Sequence, residues 1–283
     1  MNILTFDVEE WFHILDNSST KSINEWSKFD YRLDQNMNRI FNLLEKHNQK
    51  ATFFCLGWVA EKFPHIIKKI HNHGYEIGTH SYMHQLAYEQ QPNDFRFDLK
   101  KSIDILQDLT GSPIECYRAP GFSLVESNKW IIDVLIEEGI KVDCSVFPAP
   151  RAHGGLRNFG YSHPNIIITQ NGEIKEFPIN LVSVLGKKII FSGGGYFRLI
   201  PLFLHKYLFS KSTNYTMTYF HPRDFDSNQP MIKELSLIRR FKSYYGLNHC
   251  LNKLDALIEK YDFIDLNEAN NRMDWNSVKK IKI

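Results

Sequence analysis

Short apolar runs alternate with longer amphipathic segments through the first half of the chain. Residues 34–46 repeat apolar side chains at the spacing of one helix face, whereas residues 51–56 are continuously apolar over the length of a strand. Because segments of these two kinds alternate, the pattern predicts a parallel sheet with crossover helices. The predicted strands are residues 2–6, 51–56, 75–78, 114–117 and 141–144, and the predicted helices begin near residues 34, 64, 94 and 127.

The second half of the chain is less regular. Two apolar runs flank Asn171-Gly172, a dipeptide typical of a β-hairpin turn. No internal repeat or low-complexity tract divides the sequence. We therefore predict one α/β domain, residues 1–283, with a β-hairpin insertion near residues 160–195. Further strands are predicted at residues 188–192, 215–220 and 263–266, and a helix near residues 251–258.

The composition is that of a globular protein, with 43% hydrophobic and 23% charged residues. A formal net charge of +2, without a run of lysines and arginines, argues against a nucleic-acid partner. The four cysteines are scattered and form no Cys-x-x-Cys pair. Their pattern favours buried thiols in a reducing compartment over a disulfide framework.

The first residues read as a strand that no basic or apolar leader precedes, so we expect a cytoplasmic protein. The most apolar later stretch, Leu199–Leu204, is interrupted by proline and is too short to span a bilayer, which needs about 20 apolar residues. We predict a core helix there, and a peripheral membrane contact is the alternative.

Side chains suited to a hydrolytic metal site follow five of the predicted strands. In parallel α/β folds the carboxyl ends of the strands meet at one edge, so we expect these side chains to converge. They are Asp7 and Glu9 after the first strand, His80 and His84 after the third, Arg118 after the fourth, Asp143 near the end of the fifth, and His221 after residues 215–220.

The spacing of His80 and His84 can aim two imidazoles at one divalent cation, and one nearby carboxylate then completes three protein ligands. That arrangement keeps a position open for water and leaves the second carboxylate free to act as a base. Arg118 precedes a proline turn and is suited to binding a carboxylate. Taken singly, the same residues can be surface histidines, a solvated acidic turn and a loop arginine.

As an ordered set, these motifs resemble the polysaccharide deacetylase family, the NodB-homology type of carbohydrate esterase. The resemblance covers nearly the whole chain and implies a distorted (β/α)7 barrel. Residues 193–201 and 221–226 are similar to a subgroup associated with exosortase systems and exopolysaccharide loci. The motifs are Thr5-Phe6-Asp7-Val8-Glu9, His80-Ser81-Tyr82-Met83-His84, Arg118-Ala119-Pro120-Gly121, Asp143-Cys144-Ser145 and Phe220-His221-Pro222.

The resemblance implies a metal-dependent hydrolase that removes N-acetyl groups from the amino sugars of a polysaccharide or a glycan precursor. The implied cofactor is Zn²⁺, with Co²⁺, Ni²⁺ or Mn²⁺ as alternatives. The implied catalytic residues are the base Asp7, the acid His221, Arg118, which orients Asp7, and Asp143, which polarises His221. The implied metal ligands are Glu9, His80 and His84, and the expected oxyanion and sugar contacts are Gly121, Phe122, Tyr82 and Trp11.

Two positions depart from the commonest family pattern. Val8 separates two acidic residues that are usually adjacent, so Glu9 takes the place of the liganding aspartate. Arg223 stands where relatives often have an aromatic residue. Some relatives with this first-motif spacing hydrolyse small cyclic amides without evident metal dependence, which gives a second hypothesis. An inactive carbohydrate-binding relative is the third.

Overall fold

The computed structural model describes residues 1–15, 20, 22–212 and 214–283. Thirteen short strands lie within these residues. They are β1 (Asn2–Ile3), β2 (Thr5–Val8), β3 (Thr52–Cys55), β4 (Glu76–Thr79), β5 (Cys116–Tyr117), β6 (Val142–Asp143), β7 (Asn165–Ile168), β8 (Glu173–Glu176), β9 (Val182–Val184), β10 (Lys187–Ile189), β11 (Thr216–Met217), β12 (Phe263–Ile264) and β13 (Lys280–Lys282).

Eleven α-helices lie in the same described residues. They are α1 (Ile23–Trp26), α2 (Leu33–His47), α3 (Gly57–Lys62), α4 (Pro64–Asn72), α5 (Pro92–Thr110), α6 (Ile131–Glu137), α7 (Gly194–Leu199), α8 (Leu202–Lys211), α9 (Leu237–Tyr244), α10 (Leu247–Ile258) and α11 (Leu266–Arg272). Proline opens α4 and α5, where its missing N–H has no helical partner to lose. Gly111 ends α5 with φ of +66°.

Eight strands form one sheet in the order β13-β7-β8-β6-β5-β4-β3-β2. Every neighbouring pair is parallel except β7 and β8, whose antiparallel pairing confirms the predicted hairpin. Because β8 also pairs with β6, this hairpin continues the main sheet and does not stand apart as an insertion. A second, smaller hairpin joins β9 and β10.

The first two strands, β1 and β2, connect the main sheet to strands from the last part of the chain. β2 pairs with β3, whereas β1 pairs with β11 and β12, and an isolated parallel bridge joins Phe6 to Phe220. On the other side of β11, the backbone N–H of Met217 donates to the side-chain oxygen of Asn180 at 3.1 Å, just beyond β8. The parallel α/β architecture is consistent with the expected distorted barrel. In the described residues the junction between the segment after β8 and β11, which we call the seam, is joined by side-chain hydrogen bonds and not by a strand ladder.

Burial follows the pattern expected of a parallel sheet with covered faces. Every residue of β2 and β3 is buried, and the four cysteines are buried and free, as the sequence predicts. The prediction of a core helix at Leu199–Leu204 is wrong. The junction of α7 and α8 lies there, and Phe203 is 75% exposed. In the described part of the chain, no helix has both the length and the apolar character needed to cross a membrane.

Candidate active site

Three side chains at the carboxyl ends of β2 and β4 form a cluster that suits a metal ion. Glu9 Oε1 lies 3.1 Å from His80 Nε2 and 2.9 Å from His84 Nε2. The three potential ligand atoms all lie within 4.8 Å of one another, and the three residues are buried. The structure thus brings the three expected metal ligands together, although they come from segments 71 residues apart.

The turn after β4 aims the two imidazoles. Ser81 and His84 have φ values of 68° and 53°, in the left-handed region that non-glycine residues rarely occupy. The Asp98 carboxylate on α5 accepts hydrogen bonds from the backbone N–H groups of Tyr82 at 2.7 Å and Met83 at 3.0 Å. Backbone strain of this kind collects at functional sites when the surrounding structure holds it, as Asp98 does here.

Hydrogen bonding and charge prepare the cluster for a cation. His80 Nδ1 donates to the carbonyl oxygen of Arg118 at 2.7 Å, which orients the ring so that Nε2 faces Glu9. Burial alone raises the pKa of Glu9. The charges of His84 and His221 and the hydrogen bonds from both histidines of the cluster outweigh burial and hold this pKa well below its usual value. Glu9 is therefore a carboxylate, as a metal ligand must be.

Asp7 lies beside the cluster and is held by Arg118. The Arg118 guanidinium is fully buried, and its Nη1 donates to Asp7 Oδ1 and to Thr5 Oγ1, each at 2.7 Å. The guanidinium also lies 4.3 Å from the centre of the Phe54 ring. Burial opposes the charge of Arg118, but the Asp7 carboxylate outweighs it and raises the pKa of Arg118. The two groups form a buried, hydrogen-bonded ion pair.

His221 faces Asp7 from the other end of the chain, with 3.8 Å between His221 Nε2 and Asp7 Oδ2. Its Nδ1 lies 3.1 Å from Asp224 Oδ2, and its backbone N–H donates to the same oxygen at 2.9 Å. Burial lowers the pKa of His221, but Glu9 and Asp224 together raise it above its usual value. Asp224 also pairs with Arg198 at 3.0 Å.

The prediction that Asp143 polarises His221 is wrong, because the contacts of Asp143 are with other residues and His221 Nδ1 contacts Asp224. Asp143 Oδ1 accepts hydrogen bonds from the hydroxyl and the backbone N–H of Ser145, at 2.5 and 3.2 Å. Burial, together with the neighbouring Asp143 carboxyl group, raises the pKa of Glu176, and burial raises the pKa of Asp143. Asp143 therefore belongs to a buried carboxyl pair with Glu176 at the end of β6 and β8, and Asp224 occupies the expected place.

Asp7, Glu9, His84 and His221 open into one pocket of about 230 Å³. Gly121 and Phe122, which the family resemblance places at the oxyanion and the sugar, line this pocket. Gly121 has φ of +62°, which strains any residue with a side chain, and a Cβ there would come within 2.6 Å of the Leu15 side chain, so this turn favours glycine. The remaining lining residues are His13, Ile14, Leu15, Arg151, His153, Gly195, Arg198, Arg223, Arg239, Lys242 and Ser243.

The two other aromatic residues expected to contact the sugar do not line this pocket. The Tyr82 hydroxyl donates to Glu61, and Lys101 Nζ lies 3.6 Å from the centre of its ring, so Tyr82 packs towards α3 and α5. Trp11 is buried against aromatic rings, and its indole N–H donates to the carbonyl oxygen of Asp30 at 2.9 Å. Both are packing residues.

His13 is a pocket residue that the sequence analysis did not identify. Its Nδ1 accepts a hydrogen bond from the backbone N–H of Glu10 at 3.2 Å, and its ring centre lies 5.8 Å from that of His84. Burial, followed by the charge of His84, lowers the pKa of His13 well below its usual value, so the imidazole is neutral. A lone histidine in the Trp11-Phe12-His13 run carries no sequence signal of this position.

Comparison with known proteins bears on both halves of the chain. Residues 18–142 match the family model described as polysaccharide deacetylase. Residues 144–271 match a second model, described as a domain of unknown function, DUF3473. His80, His84 and Arg118 lie in the first match and His221 in the second, whereas Asp7 and Glu9 precede both.

Among relatives, a peptidoglycan-N-acetylglucosamine deacetylase of Bacillus cereus is 33% identical over 117 residues, 37% of this chain and 42% of that protein. A peptidoglycan deacetylase of Helicobacter pylori is 31% identical over 108 residues, 38% of this chain and 36% of that protein. The chain thus spans less than half the length of these curated relatives.

Solved structures share the fold. A candidate polysaccharide deacetylase from Mycobacterium smegmatis has a TM-score of 0.67 at 18% identity, over 100% of this chain and 92% of that one. A pseudoenzyme of carbohydrate esterase family 4 from Bacillus anthracis has a TM-score of 0.52 at 14% identity, over 99% of this chain and 66% of that one.

Proposed function

The chain belongs to the polysaccharide deacetylase family, and from that premise we propose that it is a metal-dependent hydrolase that removes N-acetyl groups from an amino-sugar glycan or glycan precursor. One observation carries the proposal: a cation-binding trio lies beside an acid–base pair, and Glu9 and His84 of the trio line the same pocket as Asp7 and His221. The trio comes from the first half of the chain, and His221 comes from the second. We propose that both halves form one catalytic unit.

The donor set of Glu9, His80 and His84 fits a divalent metal such as Zn²⁺. Two imidazole nitrogens and one carboxylate oxygen are typical of catalytic zinc, which keeps a further position open for water. The carbonyl of Arg118 fixes the tautomer of His80, a common support for a metal-binding histidine. When bound, such a metal activates water and polarises an acyl oxygen.

The other residues supply proton transfer and orientation. Asp7, which accepts a hydrogen bond from Arg118, takes a proton from the attacking water. Gly121 lines the pocket, and its backbone N–H donates to the oxyanion that forms on the acetyl carbon. His221, supported by Asp224, gives a proton to the departing sugar amine. Acetate and a free amine are the products.

The proposed setting is exopolysaccharide or cell-surface polysaccharide biosynthesis on the cytoplasmic side of the membrane. Its support is the resemblance of residues 193–201 and 221–226 to the exopolysaccharide-associated subgroup. Four buried free thiols are further support, because such thiols are usual in a reducing compartment.

A second candidate is a metal-independent amidohydrolase acting on a small cyclic amide. The observation that favours it is the close approach of Glu9 Oε1 to both His80 and His84, because the three groups can also bind the polar edge of a cyclic amide. A pocket of about 230 Å³ also suits a small molecule.

Acetate release from N-acetylated oligosaccharides, measured for chelator-treated and Zn²⁺-reloaded protein, tests the proposal. We expect acetate only from the reloaded protein and only while His221 is present. Cyclic-amide hydrolysis that persists after chelation would favour the second candidate. Sugar binding without turnover, in the presence of metal, would identify an inactive carbohydrate-binding protein.

A further inference from the structure

Basic side chains outnumber acidic ones around the proposed catalytic pocket. Its acidic lining residues are Asp7 and Glu9, which are engaged by Arg118 and by the histidine pair. Five basic residues line the same pocket. They are Arg151, Arg198, Arg223, Arg239 and Lys242.

Four of these five cations have no carboxylate partner in the described part of the chain. Arg198 pairs with Asp224 at 3.0 Å. For the other four, no described carboxylate oxygen lies within the 4.0 Å limit of an ion pair. A pocket with this excess of positive charge favours a negatively charged ligand.

The arginines are held in place by other contacts. Arg223 Nε donates to Gln229 Oε1 at 2.9 Å, and its Nη2 is buried without a hydrogen-bond partner in the described residues. Arg239 Nη2 donates to the carbonyl oxygen of Leu15 at 2.8 Å. The Arg151 guanidinium lies 4.8 Å from the centre of the Phe122 ring. A buried guanidinium N–H without an acceptor is costly, so the free Nη2 of Arg223 marks a place for a ligand oxygen.

We propose that the substrate of this pocket is an anionic glycan, in which a carboxylate or phosphate group lies on or next to the N-acetylated sugar. This inference rests on the proposed deacetylase function and adds the charge of the substrate to it. Arg223 is the first contact for the anion, because it has the free guanidinium N–H and directly follows His221-Pro222.

Three probes with the same amino sugar separate the sources of the charge: neutral N-acetylated oligosaccharide, N-acetylglucosamine 1-phosphate, and a disaccharide of glucuronic acid and N-acetylglucosamine. We expect at least one anionic probe to exceed the neutral probe by about tenfold, both in calorimetric affinity and in kcat/KM for acetate release. That preference should shrink at high salt. The anionic probe with the higher affinity and kcat/KM shows whether the pocket recognises a phosphate or a carboxylate.

Arg223→Gln should remove most of the preference for the anionic probe, whereas Lys68→Gln, an exposed cation on α4, should leave it unchanged. Equal affinity and kcat/KM for neutral and anionic probes would overturn the anionic substrate and leave the deacetylase proposal standing. Binding that prefers the anion without acetate release from any probe would instead overturn the deacetylase proposal.

A second observation, outside the pocket, concerns exposed apolar side chains. Ten of the 14 large apolar side chains exposed in the described residues lie between residues 196 and 245. Leu237, Phe203 and Ile238 are 79%, 75% and 70% exposed. The ten residues, which we call the apolar face, are Tyr196, Leu199, Phe203, Leu204, Tyr207, Met231, Leu237, Ile238, Phe241 and Tyr245.

The elements that carry the apolar face contact one another. The Arg198 guanidinium on α7 donates to the carbonyl oxygens of Lys242, Ser243 and Tyr245 at 2.9 to 3.0 Å, which joins α7 to the end of α9. Leu199 and Tyr245 also line one cavity of about 590 Å³. α8 follows α7 directly after Pro201.

The charge of the segment that carries the apolar face favours an anionic bilayer over a second copy of the chain as its partner. Residues 191–250 contain eight lysines and arginines but only three acidic residues, and two of these, Asp224 and Asp226, are buried against arginines. A symmetric dimer through this face would place like charges opposite one another. Exposed apolar side chains among basic ones are instead typical of a surface that inserts into an anionic bilayer.

We infer that the apolar face docks on an anionic membrane surface. Co-sedimentation with vesicles of phosphatidylcholine, alone or mixed with phosphatidylglycerol, tests this. We expect binding to the mixed vesicles only and a weaker interaction at high salt. Phe203→Ser combined with Leu237→Ser should reduce the binding about tenfold or more. Phe97→Ser, which changes an equally exposed phenylalanine (74%) on α5, should not.

Equal retention of the wild type and the double variant on mixed vesicles, or no retention of either, would overturn the inference. Analytical ultracentrifugation of the same two proteins adds a separate outcome. A concentration-dependent dimer that the double variant abolishes would assign the apolar face to a second copy of the chain and would also overturn it.

Discussion

His221 owes its support to a residue three positions along the chain. Asp224 accepts both the Nδ1–H and the backbone N–H of His221 within the short helical turn Pro222–Phe225. The His-Pro-x-Asp spacing is a local capping pattern, so the sequence contained a signal for this contact. Asp143 lacked such a signal, because only the pairing of β6 with β8 reveals that it faces Glu176.

Substitution of the two aspartates distinguishes their roles. Asp224→Asn should lower kcat about 10- to 100-fold, because the pKa of His221 loses one of the charges that raise it. The decline of activity at high pH should then begin at a lower pH than in the wild type. Asp143→Asn should change kcat less than threefold, because the contacts of Asp143 are with Ser145 and Glu176, whereas His221 is supported by Asp224.

The measurement is a pH profile of kcat for both variants, with thermal unfolding as the control for folding. A profile of the Asp143→Asn variant that shifts as far as that of Asp224→Asn would contradict the assignment.

Among the elements, β4 has the largest influence on the site because it ends at His80. Apolar periodicity predicted this strand, together with β2, β3 and helices α2, α4 and α5, since each is regular and long enough to show its spacing. Periodicity did not predict α7, α8 and α9. In α9 the apolar side chains do repeat on one helix face, but that face is exposed and does not pack against the core.

Gly78 lets β4 lie close to its neighbours. A Cβ at this position would come within 2.6 Å of Cys116 Sγ and 2.9 Å of the Cys116 carbonyl oxygen. Gly78→Ala should therefore lower the free energy of unfolding by about 1–3 kcal/mol and weaken Zn²⁺ binding, because the strand that carries His80 must shift. Urea unfolding and calorimetric titration with Zn²⁺ measure the two effects.

Gly74→Ala is the matched control. Gly74 has φ of +70° and open space around its Cβ position, so alanine there costs about 1–2 kcal/mol through backbone strain alone. Zn²⁺ affinity should remain that of the wild type. Zn²⁺ affinity that falls equally in both variants would contradict the role assigned to β4.

At the scale of the whole molecule, the first and last parts of the chain meet around the same strands. The bridge between Phe6 and Phe220 places His221 beside Asp7, although the two residues are 214 positions apart in the sequence. The predicted alternation of strands and helices gave the parallel α/β class and the edge of the sheet at which the candidate site lies, and the family resemblance implied the distorted barrel. The alternation could not predict the seam between the segment after β8 and β11, because the hydrogen bond from Met217 to Asn180 involves a side chain outside any strand ladder.

One carboxyl group that joins distant elements should make stability depend on pH. Glu76 on β4 accepts hydrogen bonds from the Thr52 hydroxyl on β3 at 2.6 Å and the Asn267 N–H on α11 at 2.9 Å. Burial raises its pKa to about 7, against a usual value of 4.5. The folded chain thus keeps a proton that the unfolded chain releases at lower pH.

The stability that this proton gives is complete below about pH 4.5 and is lost as the pH rises through about 7. Relative to Glu76→Gln, the wild-type free energy of unfolding should fall by about 1–3 kcal/mol between pH 5 and pH 8. Urea unfolding at several pH values measures it, with Glu89→Gln, an exposed acid on the surface, as control. Parallel pH curves for the wild type and Glu76→Gln would contradict this assignment.

The measurement that tests the whole account most directly is metal content together with acetate release in three proteins: the wild type, His80→Ala and His221→Ala. The account predicts one equivalent of Zn²⁺ and turnover in the wild type, and loss of both in His80→Ala. In His221→Ala the metal should remain while kcat falls about 10²- to 10⁴-fold. Equal loss of metal in both variants, or full turnover without His221, would contradict the separation of a metal-binding trio from an acid–base pair.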